Sequence, residues 1–156
     1  MKLRSIAALD KNRVIGKDSG LPWDYPADAE FFRSKTEGHP MIMGRKSFDD
    51  LDGELLDRLN IVLTTDESLQ SNHRNVRYIN SVEEALDVAE LTNNNLVYVT
   101  GGQEIYEQFH EYLDELILTH IHDTHKGDTY YPEFDEDEWN QEVLHDRDDF
   151  TIIKYT

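Results

Sequence analysis

The sequence predicts an α/β fold of one domain, residues 1–156, with a central mixed sheet, mostly parallel, flanked by helices and closed by an antiparallel C-terminal strand. Two patterns carry this expectation. From Leu3 to Phe109, short apolar runs alternate with segments of helical period, the signature of strand–helix–strand crossovers. Beyond Ile121 the helical segments stop, and Glu142–Leu144 and Phe150–Tyr155 read as strands with only turns between them, which brings antiparallel pairing. A length of 156 residues suits one core of this kind.

Leu3 to Leu9 reads as a buried central strand, and Asp10 to Arg13 turns the chain. Val14 to Leu21 holds two glycines and no period, so it reads as a surface loop able to act as a lid. It runs into Pro22-Trp23 and a helix from Pro26 to about Thr36, with proline at the first helical position. Met41-Ile42-Met43 is the next strand, and Gly44 to Phe48 a strand-to-helix turn. Ile61 to Thr65 and Val76 to Ile79 follow as strands. Ser81 caps a helix with Glu84 three residues on, and Val82, Ala85, Leu86 and Ala89 form its apolar stripe. Leu96 to Val99 is a strand running into Thr100-Gly101-Gly102, Ile105, Tyr106 and Phe109 mark a helix, and Leu113 to Ile121 gives another strand. Gly127 to Pro132 reads as a turn, and Asp135 to Glu138 as a solvated acidic surface.

Composition narrows the function. There are 33 acidic and 15 basic residues, a net charge of −18, which argues against binding nucleic acid or an anionic membrane. Hydrophobic residues still make up 38% of the chain, so the charge lies on the surface of a folded protein, as expected for a salt-rich cytoplasm that screens it. Cysteine is absent, which excludes disulfides and thiol chemistry. No apolar run is long enough for a membrane span and the first residues do not form a signal peptide, so a cytoplasmic monomer is the expectation.

Asp28 falls in the first turn of the helix beginning at Pro26, at the positive end of its dipole, and Phe32 shares its face. A carboxylate beside an aromatic ring suits an amidine-like heterocycle. Three more features gather where an open sheet binds ligands, at the carboxyl ends of strands: Gly44-Arg45-Lys46-Ser47, Thr64-Thr65 and Gly101-Gly102. Strand-to-helix turns offer free amides, and Arg45 with Lys46 suits a dinucleotide bearing an additional phosphate. Neither the three-glycine dinucleotide fingerprint nor the phosphate-loop signature is present. His120, His122 and His125 lack a completing cysteine or carboxylate motif, so no metal is expected.

Ile6-Ala7-Ala8, Val14-Ile15-Gly16, Leu21-Pro22-Trp23, Pro26-Ala27-Asp28, Phe32, Met43-Gly44-Arg45, Arg58, Gly101-Gly102, Tyr106 to Phe109, Leu118 to Ile121 and Gly127-Asp128-Thr129 together resemble the dihydrofolate reductase family, in order and over the whole chain. The resemblance implies NADPH-dependent reduction of 7,8-dihydrofolate to tetrahydrofolate, with Asp28, Trp23, Thr119 and Tyr106 as catalytic residues. It implies a substrate wall of Ile6, Ala7, Leu21, Phe32, Leu51, Leu55 and Thr100, with Arg58 on the glutamate carboxylate. It implies a cofactor site of Ala8, Ile15, Gly16, Gly44, Arg45, Lys46, Ser47, Leu63, Thr64, Thr65, Thr100, Gly101, Gly102, Gln103, Glu104 and Ile105. The loop from Ile15 to Trp23 would close over the nicotinamide, Asp128 would hold that loop, and Gly101-Gly102 would be cis-linked. Glu104 stands where many relatives carry an arginine toward the adenosine phosphate, and Thr100 and Gln103 also depart from the usual pattern. The alternatives are another pterin or pyrimidine reductase of this fold, or a nucleotide-binding protein without activity.

Overall fold

A computed structural model of the chain describes residues 1–16 and 22–156. Its centre is β1 (Lys2–Leu9), whose side chains alternate between two apolar clusters, Leu3, Ala7 and Leu9 on one face and Ile6 on the other. β1 lies between β6 (Leu96–Gly101) and β7 (Glu115–Ile121) and is parallel to both. Outward from β6 follow β3 (Met41–Gly44), β4 (Asn60–Leu63) and β5 (Val76–Ile79), all parallel. Outward from β7 come β10 (Phe150–Tyr155) and β9 (Gln141–Asp146), each antiparallel to its neighbour. The mixed sheet expected from the sequence is the one that forms.

Helices cover both faces. α1 (Pro26–Thr36) and α2 (Arg45–Asp50) bring Phe31, Phe32 and Phe48 onto the face that holds Ile6, Met43 and Ile117. α3 (Val82–Leu91) and α4 (Gln103–Phe109) bury Ala85, Val88, Ala89, Ile105 and Phe109 on the other. α1 carries Asp28 in its first turn and Arg33 and Lys35 in its last, each sign at the favourable end of the dipole. At the start of α3 the Ser81 hydroxyl accepts from the Glu84 amide at 3.1 Å. The Glu84 carboxylate reaches back to the amide of Asn80, also at 3.1 Å, one residue before the position that a regular capping box uses.

The structure departs from the sequence reading where pairing is distant. Val14–Gly16, read as loop, forms β2, which pairs antiparallel with β8 (Thr129–Tyr130), where a turn was expected. Three amides explain why this ribbon stays against the sheet. Asp10 Oδ1 accepts from the amides of Asn12 at 2.8 Å and Val14 at 2.9 Å, and Oδ2 from that of His125 at 2.6 Å. Gly127 allows the close approach, since a Cβ there would collide with the Val14 side chain and lie 2.6 Å from the Gly16 carbonyl oxygen. The rest of the predicted lid, including Leu21, falls outside the described residues. The acidic run is partly ordered as a single 3-10 turn, Glu136–Glu138, capped by Asp135.

Replacing Asp10 by alanine leaves these amides without their acceptor and is expected to cost about 2–4 kcal/mol, read from urea denaturation. An unchanged midpoint would show that water serves them equally well.

Candidate active site

The alternation of β7 decides which side chains meet α1. Thr119 shares the face of Ile117 and Ile121, toward α1, and its hydroxyl donates to Asp28 Oδ1 at 2.7 Å. His120 faces the other way and meets the Tyr155 hydroxyl at 2.8 Å. Burial raises the Asp28 pKa above its ordinary 3.8, and the Thr119 hydrogen bond opposes that rise. Tyr106 enters from α4 and donates its hydroxyl to the Ile6 carbonyl at 2.7 Å. Burial holds that phenol protonated far above its usual range, and the nearby Tyr131 and Asp28 add to the effect. Tyr106 is therefore a fixed donor, packed so close to the end of β6 that a Cβ on Gly101 (φ +105°) would stand 2.8 Å from its ring.

The β3–α2 and β6–α4 turns touch. A Cβ on Gly44 would lie 3.2 Å from the Ile105 side chain and 3.9 Å from the Gly101 carbonyl, and one on Gly102 would lie 3.5 Å from Ser47 Oγ. The Gly101–Gly102 peptide is cis. Neither Gly44 nor Gly102 offers a side-chain cap to its helix, so first-turn amides of both are left for water or a ligand. Gly44, Leu63 and Ile79 are aligned across β3, β4 and β5, which sets Thr64 and Thr65 just beyond the same edge. Arg45 is exposed there, with Asp49 at 3.6 Å and Asp66 at 3.8 Å. Lys46, Thr65 and Glu104 are exposed as well. This donor set, uncapped amides with an exposed cation and hydroxyls, fits the phosphates of a dinucleotide.

Other expected site residues have partners of their own. Phe32, Leu51 and Leu55 join Ile6 and Met43 in one apolar cluster beside α1. Ala7, Ala8, Ile15 and Gly16 line β1 and β2, and the Gly16 carbonyl accepts from the Asp128 amide at 3.0 Å. Thr100 directs its hydroxyl at the Ile42 carbonyl, at 3.4 Å. Gln103 turns toward the ribbon, its side-chain oxygen accepting from the Tyr130 amide at 2.8 Å. Trp23 packs on the ring of His125, centroids 5.0 Å apart, and its indole N–H is buried without a partner among the described residues. Arg58 is buried and bonded to Asp57 and to the last turn of α1. Sequence reasoning missed the role of Asp10, whose bond to the His125 amide spans 115 positions, and that of Asp57, whose pairing with the adjacent Arg58 depends on where the side chains point. Among the described residues no group of three or more histidines and acids could hold a metal.

An open sheet with its ligand-binding groups at the strand ends is the architecture of enzymes that work with dinucleotide cofactors. Within that class the chain belongs to the dihydrofolate reductase family, whose model matches residues 2–155. It is 37% identical over 141 residues to a dihydrofolate reductase of Staphylococcus haemolyticus, covering 90% of this chain and 82% of that one. It is 39% identical over 156 residues to dihydrofolate reductase HdrB of Haloferax volcanii, covering 96% and 80%. A solved structure of dihydrofolate reductase from Enterococcus faecalis complexed with NADP(H) and RAB-propyl is similar at a TM-score of 0.81 and 32% identity, over 99% of this chain and 93% of that one.

The raised pKa of Asp28 makes a prediction about stability. Its folded-state pKa lies above 3.8, so the folded protein holds that proton more tightly than the unfolded chain, and stability falls as pH rises through the interval between the two values. Asp28→Asn, which can still accept from Thr119, is expected to melt higher than the parent at neutral pH. That advantage should shrink toward pH 3.8, and a lower melting temperature at neutral pH would contradict it.

Proposed function

We infer that the protein reduces 7,8-dihydrofolate to 5,6,7,8-tetrahydrofolate with NADPH. The observation that carries this reading is the half-buried Asp28 carboxylate, raised in pKa and hydrogen-bonded to Thr119. NADPH, when bound, supplies a hydride to a C=N carbon of the pterin, so the imine nitrogen must gain a proton and positive charge develops beside it. Asp28 is placed to accept from the pterin amino group and ring N–H and to stabilise that charge. Thr119 orients the carboxylate and supports the same amino group. Tyr106 ties α4 to β1 through the Ile6 carbonyl while its ring packs on the end of β6 at Gly101, and Trp23 offers one further unpaired donor. Ile6, Phe32, Leu51 and Leu55 supply the apolar wall.

In the same reading the two touching turns hold the pyrophosphate, and Arg45, Lys46, Thr64 and Thr65 take the adenosine phosphate. Arg45 is recruitable because its carboxylate partners are exposed and distant, pairs of a kind worth at most about 1 kcal/mol. Glu104 works against the phosphate from the first turn of α4. We also read the net charge of −18 as adaptation to a salt-rich cytoplasm, with the protein acting as a monomer apart from nucleic acid and membrane. The similarity to the Haloferax volcanii protein agrees with this, although a staphylococcal relative is nearly as similar. No described helix is long and apolar enough to cross a membrane.

The test is the loss of NADPH absorbance with dihydrofolate, in molar potassium chloride and in dilute buffer. Turnover is expected to fall as pH rises past the raised pKa of Asp28, and to be better sustained in salt. Asp28→Asn should lose at least about a hundredfold in turnover at neutral pH, the usual scale of acid–base assistance. Near-normal turnover by this variant would refute the role. Arg45→Gln should raise the KM for NADPH and leave that for NADH almost unchanged.

A further inference from the structure

Arg58 is the one buried arginine among the described residues, its side chain 6% exposed, while its sequence neighbour Asp57 is 64% exposed. The guanidinium is gripped on two edges. Nη1 donates to the Arg33 carbonyl at 3.0 Å and to Thr36 Oγ1 at 2.8 Å, both in the last turn of α1. Nε and Nη2 donate to the two carboxylate oxygens of Asp57, at 2.9 and 3.2 Å. That second edge is the side-on fork an arginine uses for a carboxylate ligand, and here a carboxylate of the chain already fills it. The hydrogen bond from Arg58 holds the Asp57 carboxyl below the ordinary range, so it stays ionised through neutral pH.

The position gives this pair a function, on the reading that the substrate is dihydrofolate. Thr36 follows Asp28 by two helical turns along α1, roughly 12 Å at the α-helical rise. A pterin held at Asp28 and continued by a flat benzoyl spacer along Phe32 brings its glutamate tail to the Arg58 end of the helix. In a chain with 33 acids and 15 basic residues, a dicarboxylate tail has few cations to meet.

We propose that Asp57 is a specificity-determining residue that occupies the carboxylate-binding edge of Arg58, so that the glutamate tail of the substrate binds there only by displacing it. The exchange swaps one ion pair for another, and the tail therefore gains less than a vacant arginine would give. Asp57 leaves without structural loss, because it is exposed and Arg58 keeps its two bonds to α1. The pterin end is untouched. The contribution of Asp57 is thus to lower affinity for glutamate-bearing substrates relative to pterins that lack the tail.

The experiment compares the parent with Asp57→Asn on dihydrofolate and on 6-methyl-7,8-dihydropterin, which has neither benzoyl group nor glutamate. The variant should lower the KM for dihydrofolate by about two- to fivefold, the scale of one exposed ion pair, with the change in KM and not in kcat. The KM for the methylpterin should not move. In an Arg58→Gln background the Asp57 effect should vanish. Folate binding, followed by quenching of tryptophan fluorescence, should tighten by the same factor and needs no turnover. An unchanged or higher KM for dihydrofolate, or an equal shift for both substrates, would overturn the proposal while leaving the reductase reading intact. Absence of turnover in the parent, with folded protein, would instead overturn the reductase reading, and the fluorescence titration would still decide the role of Asp57.

Discussion

The hydrogen bond from Thr119 to Asp28 joins the two halves of the site, and the rest of the architecture is arranged so that it can form. It needs a carboxylate at the start of a helix, a hydroxyl on the correct face of a strand, and the helix held across that strand. Pro26 sets the first, the alternation of β7 the second, and Phe31 and Phe32 packed on the sheet the third. A register slip of one residue in β7 would put His120 in place of Thr119. Two neighbours prevent it, because β7 is paired along most of its length with β1 on one side and β10 on the other.

Asp28 also illustrates a conflict between stability and chemistry. A charged carboxylate in a largely buried position opposes folding, and one hydroxyl only partly offsets the desolvation. The same desolvation makes the group a better partner for a developing cation. Elsewhere the protein treats its buried acids differently. Asp10 is satisfied by backbone amides, and Glu115 sits among Arg4, Lys2 and Lys154 at the opposite end of the strands. Burial pushes the Glu115 carboxyl up, but the hydrogen bond and charge of Arg4, joined by Lys154 and Lys2, outweigh it and hold the pKa below the usual carboxylate range. Asp28, by contrast with Glu115, has its pKa pushed upward.

Much of this was legible in the sequence because it is local. Ser81 and Glu84 announce a helix start by their spacing, and the run Phe150–Tyr155 is long and apolar enough to read as a strand with its observed bounds. Asp28 and Phe32 were visible as a shared face, and the glycine pairs as strand-end turns. What remained hidden depends on partners far along the chain or on where side chains point. Val14–Gly16 is a strand only because Thr129 and Tyr130 lie beside it. Thr119 could be tied to Asp28 from the sequence only through resemblance to a family, since no spacing links residues on a helix and a distant strand. The resemblance put Arg58 on the substrate's glutamate carboxylate, and its engagement by the adjacent Asp57 is invisible until side chains are placed.

The order of strands has a consequence for biosynthesis. Thr119 lies on β7, yet the strand that closes the outer side of β7 is β10, which is made about thirty residues later. Until β10 docks, β7 presents an unpaired apolar border beside the helices. The parallel half of the sheet, from β5 to β1, can already be assembled at that stage. A chain folded only as far as β7 would therefore hold the parallel half of the sheet next to an edge that β10 has still to cover, and is the species that a chaperone would have to shield.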